Sequence, residues 1–380
     1  MRVAAAPVSA AELAALGRAR ELAMRGRGLV SPNPLVGAVV LRDGETVGEG
    51  WHEGPGLPHA EAMALTVARG AARGATVVCT LEPCSHHGRT PPCADALVAA
   101  GVSRVVVGAL DPLERGRLQG REVLAAAGIE VAAVTGDPSR ACAEMNAPFL
   151  TWAVTGLPHV TLKLATSLDG KIATASGESR WISGPASRGL VHRWRADHDA
   201  VAVGLGTVLA DDPRLTARDV DGPVRQPARV VFDSSARLPI ASALVQDVAT
   251  APVIVIAAEC APPERVEALR TAGVEVDLIP GDAPGRIAGG LRALGGRGIQ
   301  SLLVEGGAEL AGSLVAAGAV DRVAWFLAPM LIGGTAAPSA LGGAGAATLA
   351  DAVRLIDLAS ERIGADVLVT GRLRPLAGMI

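Results

Sequence analysis

The sequence contains no tyrosine, and aromatic residues make up only 2% of its 380 residues. Proteins that hold single-stranded nucleic acid usually stack its bases on aromatic side chains, so this composition disfavours such a partner. Basic and acidic residues number 35 and 38, are interspersed, and give a net charge of −3. Because no basic patch marks a nucleic-acid surface, we expect a small-molecule partner and cores built from aliphatic side chains.

Long apolar runs are also missing from the sequence. No window approaches the roughly 20 consecutive apolar residues of a membrane span, and the arginine-spaced N-terminus lacks the apolar centre of a signal peptide. We therefore expect a cytoplasmic protein without membrane contact. Thiols stay reduced in the cytoplasm, so the five cysteines favour metal binding or catalysis over disulfides.

The length of the chain and the order of its periodic segments predict two α/β domains. A chain of 380 residues is too long for one ordinary core. Apolar strand segments alternate with helical segments through both halves, which is typical of α/β folds. A helix is expected within residues 138–158, near a glycine and a proline that punctuate the chain. We assign residues 1–147 to the first domain, 148–158 to a linker region and 159–380 to the second domain.

One segment concentrates metal-binding residue types. Residues 80–93, TLEPCSHHGRTPPC, follow a predicted strand and contain Cys84 and Cys93, while HAEAMAL places His59 at a predicted helix start. Zinc is bound by thiolate and imidazole groups, and a catalytic zinc uses three protein ligands while water takes the fourth position. His59, Cys84 and Cys93 therefore predict one zinc per chain at one end of a sheet.

Glu61 lies two residues after the histidine and is predicted to be close to the metal without binding it. In zinc deaminases the glutamate of a His-x-Glu motif carries protons between the activated water and the leaving amine. Cys93 follows Cys84 by nine positions, whereas the usual deaminase spacing is three. The alternatives are a structural zinc that also uses His86 or His87, and a disulfide between the two cysteines.

The second half lacks the GxGxxG pattern of a standard dinucleotide site. Instead, SLLVEGGAEL is a predicted strand that ends at Glu305, followed by Gly306, Gly307 and a helix. Backbone N–H groups at a helix start, approached closely through glycine, form an anion site suited to a pyrophosphate. Residues 351–361 and 365–373 are predicted to be two strands that close the second sheet.

Five motifs together resemble one bacterial family: SPNPLVGAVVL, HAEAMAL, TLEPCSHHGRTPPC, LKLATSLDGKIA and GESRWIS. They are similar to motifs of the bifunctional riboflavin-biosynthesis deaminase-reductases, and the similarity extends over nearly the whole chain. The long loop between the cysteines is specific to that family among deaminases. The resemblance implies an N-terminal cytidine-deaminase-like three-layer α/β/α domain followed by a dihydrofolate-reductase-like α/β reductase domain.

The resemblance also implies two reactions. The first is hydrolytic deamination of 2,5-diamino-6-(ribosylamino)-4(3H)-pyrimidinone 5′-phosphate by a zinc-activated water, with Glu61 as the proton carrier. The second is reduction of the ribosyl group to a ribityl chain by NADPH. The implied partner is a pyrimidine ribosyl phosphate, with neither nucleic acid nor membrane, and a protein of this family is expected to form a homo-oligomer.

Residues carried over by motif fall into three implied groups. Those around the pyrimidine are Asn33, His86, Gly88 and Arg89. Those lining NADPH are Ala165, Trp181, Thr207, Asp211, Ser234, Gly307, Ala308, Glu309, Leu310, Ala311, Gly312 and Ser313. Those lining the sugar phosphate are Ser179, Arg195, Leu215, Arg218 and Glu305. Within the last group the two arginines suit the phosphate, because a guanidinium presents a planar fork to phosphate oxygens.

One segment departs from the family pattern. Residues 111–120 read DPLERGRLQG, where the family has DPNP and a Gly-rich loop. Substrate contacts from this loop are therefore not carried over.

Two other functions fit parts of the sequence. One is a nucleic-acid or nucleotide deaminase with an accessory domain, which would bind RNA in a salt-sensitive manner. The other is a noncatalytic protein with a structural zinc that senses a dinucleotide. In that protein, replacing Cys84 would unfold the first domain rather than abolish an activity.

Overall fold

The computed structural model describes residues 7–88, 90–112 and 120–376. The chain divides into two compact units, residues 1–155 with 376–380, and residues 156–375. Both units are α/β, as predicted. Among the described residues, no helix is both long enough and apolar enough to cross a bilayer.

The described part of the first unit contains a five-stranded sheet. Its strands are β1 (Gly37–Arg42), β2 (Glu45–Trp51), β3 (Thr76–Leu81), β4 (Arg104–Ala109) and β5 (Glu130–Ala133). Its α-helices are α1 (Ala10–Ala23), α2 (Ala60–Ala68), α3 (Cys93–Ala100), α4 (Gly120–Ala126), α5 (Asp137–Met145) and α6 (Ala147–Thr155). The sheet order is β2-β1-β3-β4-β5, in which β1 is antiparallel to both neighbours and β3, β4 and β5 are parallel.

Alternation along the strands sorts apolar residues onto the two faces of this sheet. Val39 and Val78 are buried against residues of α1, α5 and α6. Ala38 and Val77 point the other way and are buried against residues of α2, α3 and α4. A sheet with an apolar cluster on each face needs a helical layer on each face. The result is the three-layer α/β/α arrangement that the family resemblance implies.

Helix α2 lies unusually close to β2. A Cβ atom added to Gly48 would lie 2.4 Å from Ala64 O, and one added to Gly50 would lie 2.5 Å from Ala60 O. Side chains at these two positions would push the helix off the strand, because such separations are well inside van der Waals contact. The glycines thereby fix the start of α2, which carries the His-x-Glu motif.

The helix expected within residues 138–158 is two helices, α5 and α6, separated at Asn146. The Asn146 side chain accepts from Leu35 N and donates to Leu35 O, both at 2.8 Å. Pro148 lies in the first turn of α6, where its missing N–H costs no helical hydrogen bond. The buried Asn146 side chain, which binds a distant backbone segment, and the proline two residues later together explain the break.

Helix α6 occupies most of the segment predicted to be a linker. Phe149 and Leu150 are buried in a cluster with α1 and the first sheet. By contacts the first unit therefore extends to Thr155. Only residues 156–158 separate it from the first strand of the second unit.

The described part of the second unit contains a nine-stranded sheet. Its strands are β6 (His159–Ser167), β7 (Ala200–Gly204), β8 (Ala228–Phe232), β9 (Val253–Ala258), β10 (Glu275–Ile279), β11 (Ser301–Glu305), β12 (Arg322–Ala328), β13 (Ile356–Ile363) and β14 (Asp366–Arg372). Its α-helices are α7 (Pro185–Asp197), α8 (Leu205–Asp211), α9 (Ala243–Gln246), α10 (Pro263–Thr271), α11 (Ala283–Gly296) and α12 (Ala308–Ala316). The C-terminal strand pair predicted from the sequence is β13 and β14.

The strand order of the second sheet is β10-β9-β8-β7-β11-β6-β12-β14-β13. Neighbours from β10 to β12 are parallel, and β14 is antiparallel to both β12 and β13. Apolar clusters cover both faces, as the nearly continuous apolar strands predict. The carboxyl ends of β6, β7, β8, β9 and β11 therefore share one edge, where α/β sheets bind ligands.

Candidate active sites

The three predicted zinc ligands meet in the first unit. His59 is the N-cap of α2, Cys84 lies in the loop after β3, and Cys93 is the first residue of α3. Their ligand atoms all lie within 4.8 Å of one another. His59 Nδ1 is 3.2 Å from Cys93 Sγ and 3.6 Å from Cys84 Sγ. Two thiols and one imidazole nitrogen at this spacing fit a tetrahedral zinc whose fourth position is open.

The histidines of the loop do not join this cluster. Among the described residues, the cluster of possible metal ligands consists of His59, Cys84 and Cys93 and includes neither His86 nor His87. The alternative of a structural zinc with a second histidine ligand is therefore not supported. His86 is half-buried and Gly88 is exposed within the loop. Arg89, predicted near the pyrimidine, and residues 113–119 of the divergent segment lie outside the described residues.

The two cysteine thiols are electrostatically coupled. A hydrogen bond from Cys93 lowers the pKa of Cys84, and one from His59 adds to this, so that together they outweigh the opposing effect of burial. The Cys93 backbone N–H also donates to Cys84 Sγ at 3.4 Å. The same thiol pairing, together with burial, raises the pKa of Cys93. The lowered pKa of Cys84 favours the thiolate, which is the form that binds metal.

Thr90 holds the imidazole of His59 from the other side. Thr90 Oγ1 lies 3.1 Å from His59 Nε2, while Nδ1 faces the two sulfur atoms. A donated Nε2–H fixes the tautomer in which Nδ1 carries the lone pair, as partners behind metal-binding histidines usually do. Thr90 is not among the residues predicted from the sequence, although it lies in the same loop as the cysteines.

Glu61 is buried beside the cluster in the first turn of α2. Its side chain is 3% exposed, and Oε2 lies 3.4 Å from Cys93 Sγ. Burial, followed by the negative charge of Cys84, raises the pKa of Glu61. A carboxyl group in this position can exchange a proton with a molecule beside the metal ligands.

A second histidine lies against the first. The His52 ring packs edge-on to the His59 ring, with centroids 5.3 Å apart. His52 Nδ1 is 3.1 Å from Pro58 O, and Asn33 Nδ2 is 2.9 Å from His52 Nε2. Burial lowers the pKa of His52, so the ring is neutral, donates from Nδ1 and accepts at Nε2. Asn33 was predicted near the pyrimidine, but His52 was missed in the segment WHEGPGLPH.

A cavity of about 1360 Å³ lies in the second unit at the carboxyl edge of its sheet. Of the predicted cofactor residues, it is lined by Ala165, Trp181, Thr207, Asp211, Ser234, Gly307, Ala308, Glu309, Leu310 and Ser313. All five predicted substrate residues line it too: Ser179, Arg195, Leu215, Arg218 and Glu305. A volume of this size can hold a dinucleotide with a second small molecule.

Two predicted cofactor residues lie away from the cavity. Ala311 is fully buried in the core beneath α12. Gly312 faces a loop instead, since an added Cβ would lie 2.2 Å from Gly342 O. All residues from 307 to 313 are predicted from the sequence to line the cofactor. A helix presents only part of its circumference to one cavity, so some of them face elsewhere.

Glu305, Arg195 and Lys163 form the charged centre of the cavity. Glu305 accepts from Arg195 Nε at 2.6 Å and from Nη2 at 2.9 Å. Burial alone would raise the pKa of Glu305, but the charge and hydrogen bonds of Arg195 outweigh it and lower the pKa. Lys163 lies beside Glu305 in the parallel register of β6 and β11, and burial lowers its pKa. The Arg195–Glu305 ion pair and the Lys163 side chain thus lie together at the β6–β11 end of the cavity.

The expected role of Arg195 in binding phosphate does not match these contacts. Its Nε and Nη2 donate to Glu305, and its Nη1 donates to Thr216 O at 3.1 Å. The guanidinium fork is therefore used to hold the carboxylate. Arg218 is exposed at the cavity and donates from Nη1 to Thr216 Oγ1 at 3.1 Å, so it is the better placed of the two for a phosphate.

Two consecutive glycines border the middle of the cavity. Gly306 and Gly307 have φ values of +81° and +87°, which side chains other than glycine rarely adopt. A Cβ at Gly307 would also lie 3.3 Å from Thr207 Oγ1. Helices α8 and α12 begin here, after Gly204 and Gly307. The start of α12 lies where the sequence predicts an anion site, and the binding of a pyrophosphate there stays a prediction.

The remaining predicted residues lie near the cavity mouth. Ser179 Oγ is 3.4 Å from Asp211 Oδ1, and Arg180 forms an ion pair with the same carboxylate at 3.4 Å. Trp181 is 67% exposed, and the Arg188 guanidinium lies 4.5 Å from its ring centroid. An exposed indole held by a cation offers a face on which a planar ligand can stack.

Two family models match the chain. The model described as "RibD C-terminal domain" matches residues 158–369. The model described as "Cytidine and deoxycytidylate deaminase zinc-binding region" matches residues 11–109. The first match covers the charged cavity and the second covers the His/Cys/Cys cluster.

Curated relatives and solved structures match over nearly the full length. The chain is 41% identical over 355 residues to "Riboflavin biosynthesis protein RibD" of Bacillus amyloliquefaciens, with 93% of this chain and 94% of that protein covered. The structure of Acinetobacter baumannii RibD, form 1, is similar with a TM-score of 0.85 and 38% identity, over 95% of this chain and 98% of that one. The diaminohydroxyphosphoribosylaminopyrimidine deaminase/5-amino-6-(5-phosphoribosylamino)uracil reductase of Thermotoga maritima is similar with a TM-score of 0.81 and 36% identity, over 95% of this chain and 98% of that one.

Proposed function

The chain belongs to the RibD family, and from this premise we propose which of its residues carry out the two reactions. It is a bifunctional enzyme of riboflavin biosynthesis that has a zinc-dependent deaminase and an NADPH-dependent reductase. The other two functions considered from the sequence are not favoured by these relatives. The residue roles below are supported by the contacts at each site.

We propose that the first unit deaminates 2,5-diamino-6-(ribosylamino)-4(3H)-pyrimidinone 5′-phosphate. His59, Cys84 and Cys93 are the residues that would hold zinc, which when bound lowers the pKa of a water and makes it nucleophilic at neutral pH. Glu61 accepts a proton from the attacking water and delivers it to the leaving amine, so that ammonia departs and a ring carbonyl forms. The burial of Glu61 beside the three ligands is the observation that carries this proposal.

The pyrimidine is proposed to lie beside Asn33 and His52. These residues form a hydrogen-bonded pair against the His59 ring, and burial lowers the pKa of His52 so that it stays neutral. A neutral imidazole held in one tautomer can present an edge to the ring without introducing charge next to the metal.

We propose that the second unit reduces the ribosyl group of the deaminated product inside its cavity. When bound in this cavity, NADPH would supply the hydride for C1′ of the sugar; the C1′–O4′ bond breaks and O4′ takes a proton, which gives the ribityl chain. Lys163 is suited to give that proton, because burial lowers its pKa and its ammonium lines the cavity beside Glu305. Arg195 acts as a positioning residue that fixes Glu305, and Arg218 binds the substrate phosphate.

The order of the two reactions is testable with the purified chain. The diaminopyrimidinone phosphate is added without NADPH, and ultraviolet spectra and ammonia are followed; NADPH is added afterwards. We expect the ring absorbance to change and ammonia to appear in the first stage, and NADPH to be oxidised only after it. NADPH oxidation that precedes ammonia release, or a ring spectrum that never changes, would contradict the proposal.

We also propose that the enzyme self-associates through β13. This strand is at the edge of the sheet and its residues are exposed on both faces, including Ile356 and Leu358. As the edge strand, β13 has one side on which a second copy of the strand could add to the sheet. Light scattering should find a dimer or larger assembly that Leu358→Lys dissociates, whereas Leu331→Lys, at an exposed position outside this strand, should not.

A cytoplasmic location is proposed from the cysteine chemistry. All five cysteines are unbridged, and two of them belong to the proposed metal site, where a metal is bound by the reduced sulfur as thiolate. Such a site persists where thiols are kept reduced. Localisation of a tagged chain by fractionation would test this.

A further inference from the structure

We propose that Arg286 selects NADPH over NADH by binding the 2′-phosphate of the adenosine ribose at the β8–β9 end of the cavity. The inference rests on the proposed placement of the cofactor in this cavity and adds a specificity-determining residue that the sequence motifs do not single out. It follows from the layout of the cavity, from the side chains at that end, and from the contacts of one carboxylate.

The cavity spans five adjacent strands in the order β9, β8, β7, β11, β6. Strands are spaced by about 4.8 Å, so this row is about 19 Å wide, which matches an extended dinucleotide. The charged centre at Lys163 and Glu305 lies at the β6–β11 end, where the reacting sugar is proposed to bind. The helix start at Gly306 and Gly307, which we propose binds the pyrophosphate, lies next to it, after β11 and beside β7. The adenosine must then extend toward β8 and β9.

The β8–β9 end has the side chains that an adenosine phosphate needs. Phe232, Ile256 and Ile287 provide apolar walls for the purine. Polar side chains at this end include Asp233 and Ser234, just after β8, and Arg286, in the first turn of α11. A hydroxyl and a guanidinium beside an apolar slot are suited to a purine nucleoside that carries an extra phosphate.

The acidic residue at the end of β8, Asp233, borders the cavity, but its carboxylate is bound by its own loop. In dinucleotide sites that prefer NAD, an acidic residue in such a place accepts hydrogen bonds from the ribose hydroxyls. Asp233 is 2% exposed here, and its oxygens accept from Leu238 N at 2.7 Å and Ser235 N at 3.3 Å. Both carboxylate oxygens already accept hydrogen bonds from this loop, so Asp233 is less available to the ribose hydroxyls than the acidic residue of an NAD-preferring site.

Arg286 retains donors for a ligand. Its Nη1 donates to Gly281 O at 2.9 Å, which holds the side chain at the start of α11. The nearby Asp282 carboxylate is engaged as the N-cap, accepting from Gly285 N at 2.9 Å. Within the described ranges no carboxylate forms an ion pair with Arg286, and the residue lines the cavity. Its remaining N–H groups can bind a phosphate, which the helix N-terminus also favours.

The test compares nucleotide binding by calorimetry on the zinc-loaded full-length chain. The probes are NADP+, NAD+, adenosine 2′,5′-bisphosphate and adenosine 5′-monophosphate. The variants are Arg286→Gln, Arg286→Lys and, as a matched control on the same helix, the exposed Arg292→Gln, which does not line the cavity. We expect Arg286→Gln to weaken NADP+ and the bisphosphate by roughly 10- to 100-fold, the value of a charge-assisted hydrogen bond.

The same variant should leave NAD+ and the monophosphate unchanged. Arg286→Lys should keep part of the preference for the 2′-phosphate, and Arg292→Gln should keep all of it. Equal weakening of phosphorylated and unphosphorylated probes, or undiminished NADP+ preference in Arg286→Gln, would overturn the role of Arg286 while leaving the reductase site intact. Failure of the wild-type chain to bind either dinucleotide would overturn the cofactor placement and this inference together.

Discussion

Replacement of Arg195 by glutamine should destabilise the second unit more than any surface charge substitution. The Arg195 guanidinium makes two hydrogen bonds to Glu305, at 2.6 and 2.9 Å, and the side chains are only 14% and 9% exposed. Removing one partner of such a buried pair leaves the other charge without compensation. In other proteins, removing one partner of a buried ion pair lowers the free energy of unfolding by about 3 to 5 kcal/mol. Replacing both partners by apolar residues costs less, because no charge is then left unpaired.

A double-mutant cycle isolates the interaction. Arg195→Gln, Glu305→Gln and the double variant are unfolded in urea, and the transition that NADP+ shifts is assigned to the second unit. We expect the double variant to be less destabilised than the sum of the single variants, with a coupling energy of about 3 kcal/mol. Arg297 and Asp277 provide a matched control, because they also form two hydrogen bonds, at 2.6 and 2.8 Å, but on the surface.

The control pair should couple by less than about 1 kcal/mol, since solvent screens exposed ion pairs. Coupling for Arg195 and Glu305 no larger than for the control pair would refute the reasoning. It would mean that the carboxylate is stabilised by other groups, and that Arg195 is not what positions Glu305.

Three further predictions concern single contacts. Thr90→Val should weaken zinc binding roughly 10- to 100-fold in a chelator competition, because the His59 ring loses its partner; Thr66→Val, whose hydroxyl contacts only its own helix, should not. Burial lowers the pKa of His159 to about 4, against about 6.5 in the unfolded chain. The unfolded state thus binds more protons between these values, so stability is complete above pH 6.5 and declines toward pH 4 by about 3 kcal/mol, and His159→Leu should flatten that dependence in urea titrations. Gly312→Ala should lower the free energy of unfolding by about 1 to 3 kcal/mol through overpacking against Gly342 O, whereas Gly17→Ala, with open space around it, should raise it.

The metal site could be predicted from sequence because its chemistry depends on residue type and order. A histidine at a helix start, a cysteine after a strand and a cysteine at the next helix start are carried to one sheet end by the α/β topology itself. Thr90 and His52 could not be assigned this way. A threonine hydroxyl and a single histidine are compatible with many roles, and only the folded loop shows that both contact His59.

In the cavity of the second unit, several contacts could not be predicted from the sequence. Arg195 and Glu305 are 110 positions apart, and no local pattern indicates that they pair, so Arg195 was expected on a phosphate. The run through Ala311 and Gly312 was expected to line the cavity because the sequence marks where the helix begins but not which of its faces is covered. The break at Asn146 likewise depends on a backbone partner, Leu35, in a distant segment.

The central claim is that Glu61 moves protons for deamination while His59, Cys84 and Cys93 hold zinc. The most direct measurement is ammonia release by Glu61→Gln, with zinc content determined on the same sample. The account predicts about one zinc per chain, ammonia release reduced by at least roughly 100-fold, and unchanged NADPH-dependent reduction of separately supplied deaminated substrate. Ammonia release at the wild-type rate by this zinc-containing variant would contradict it.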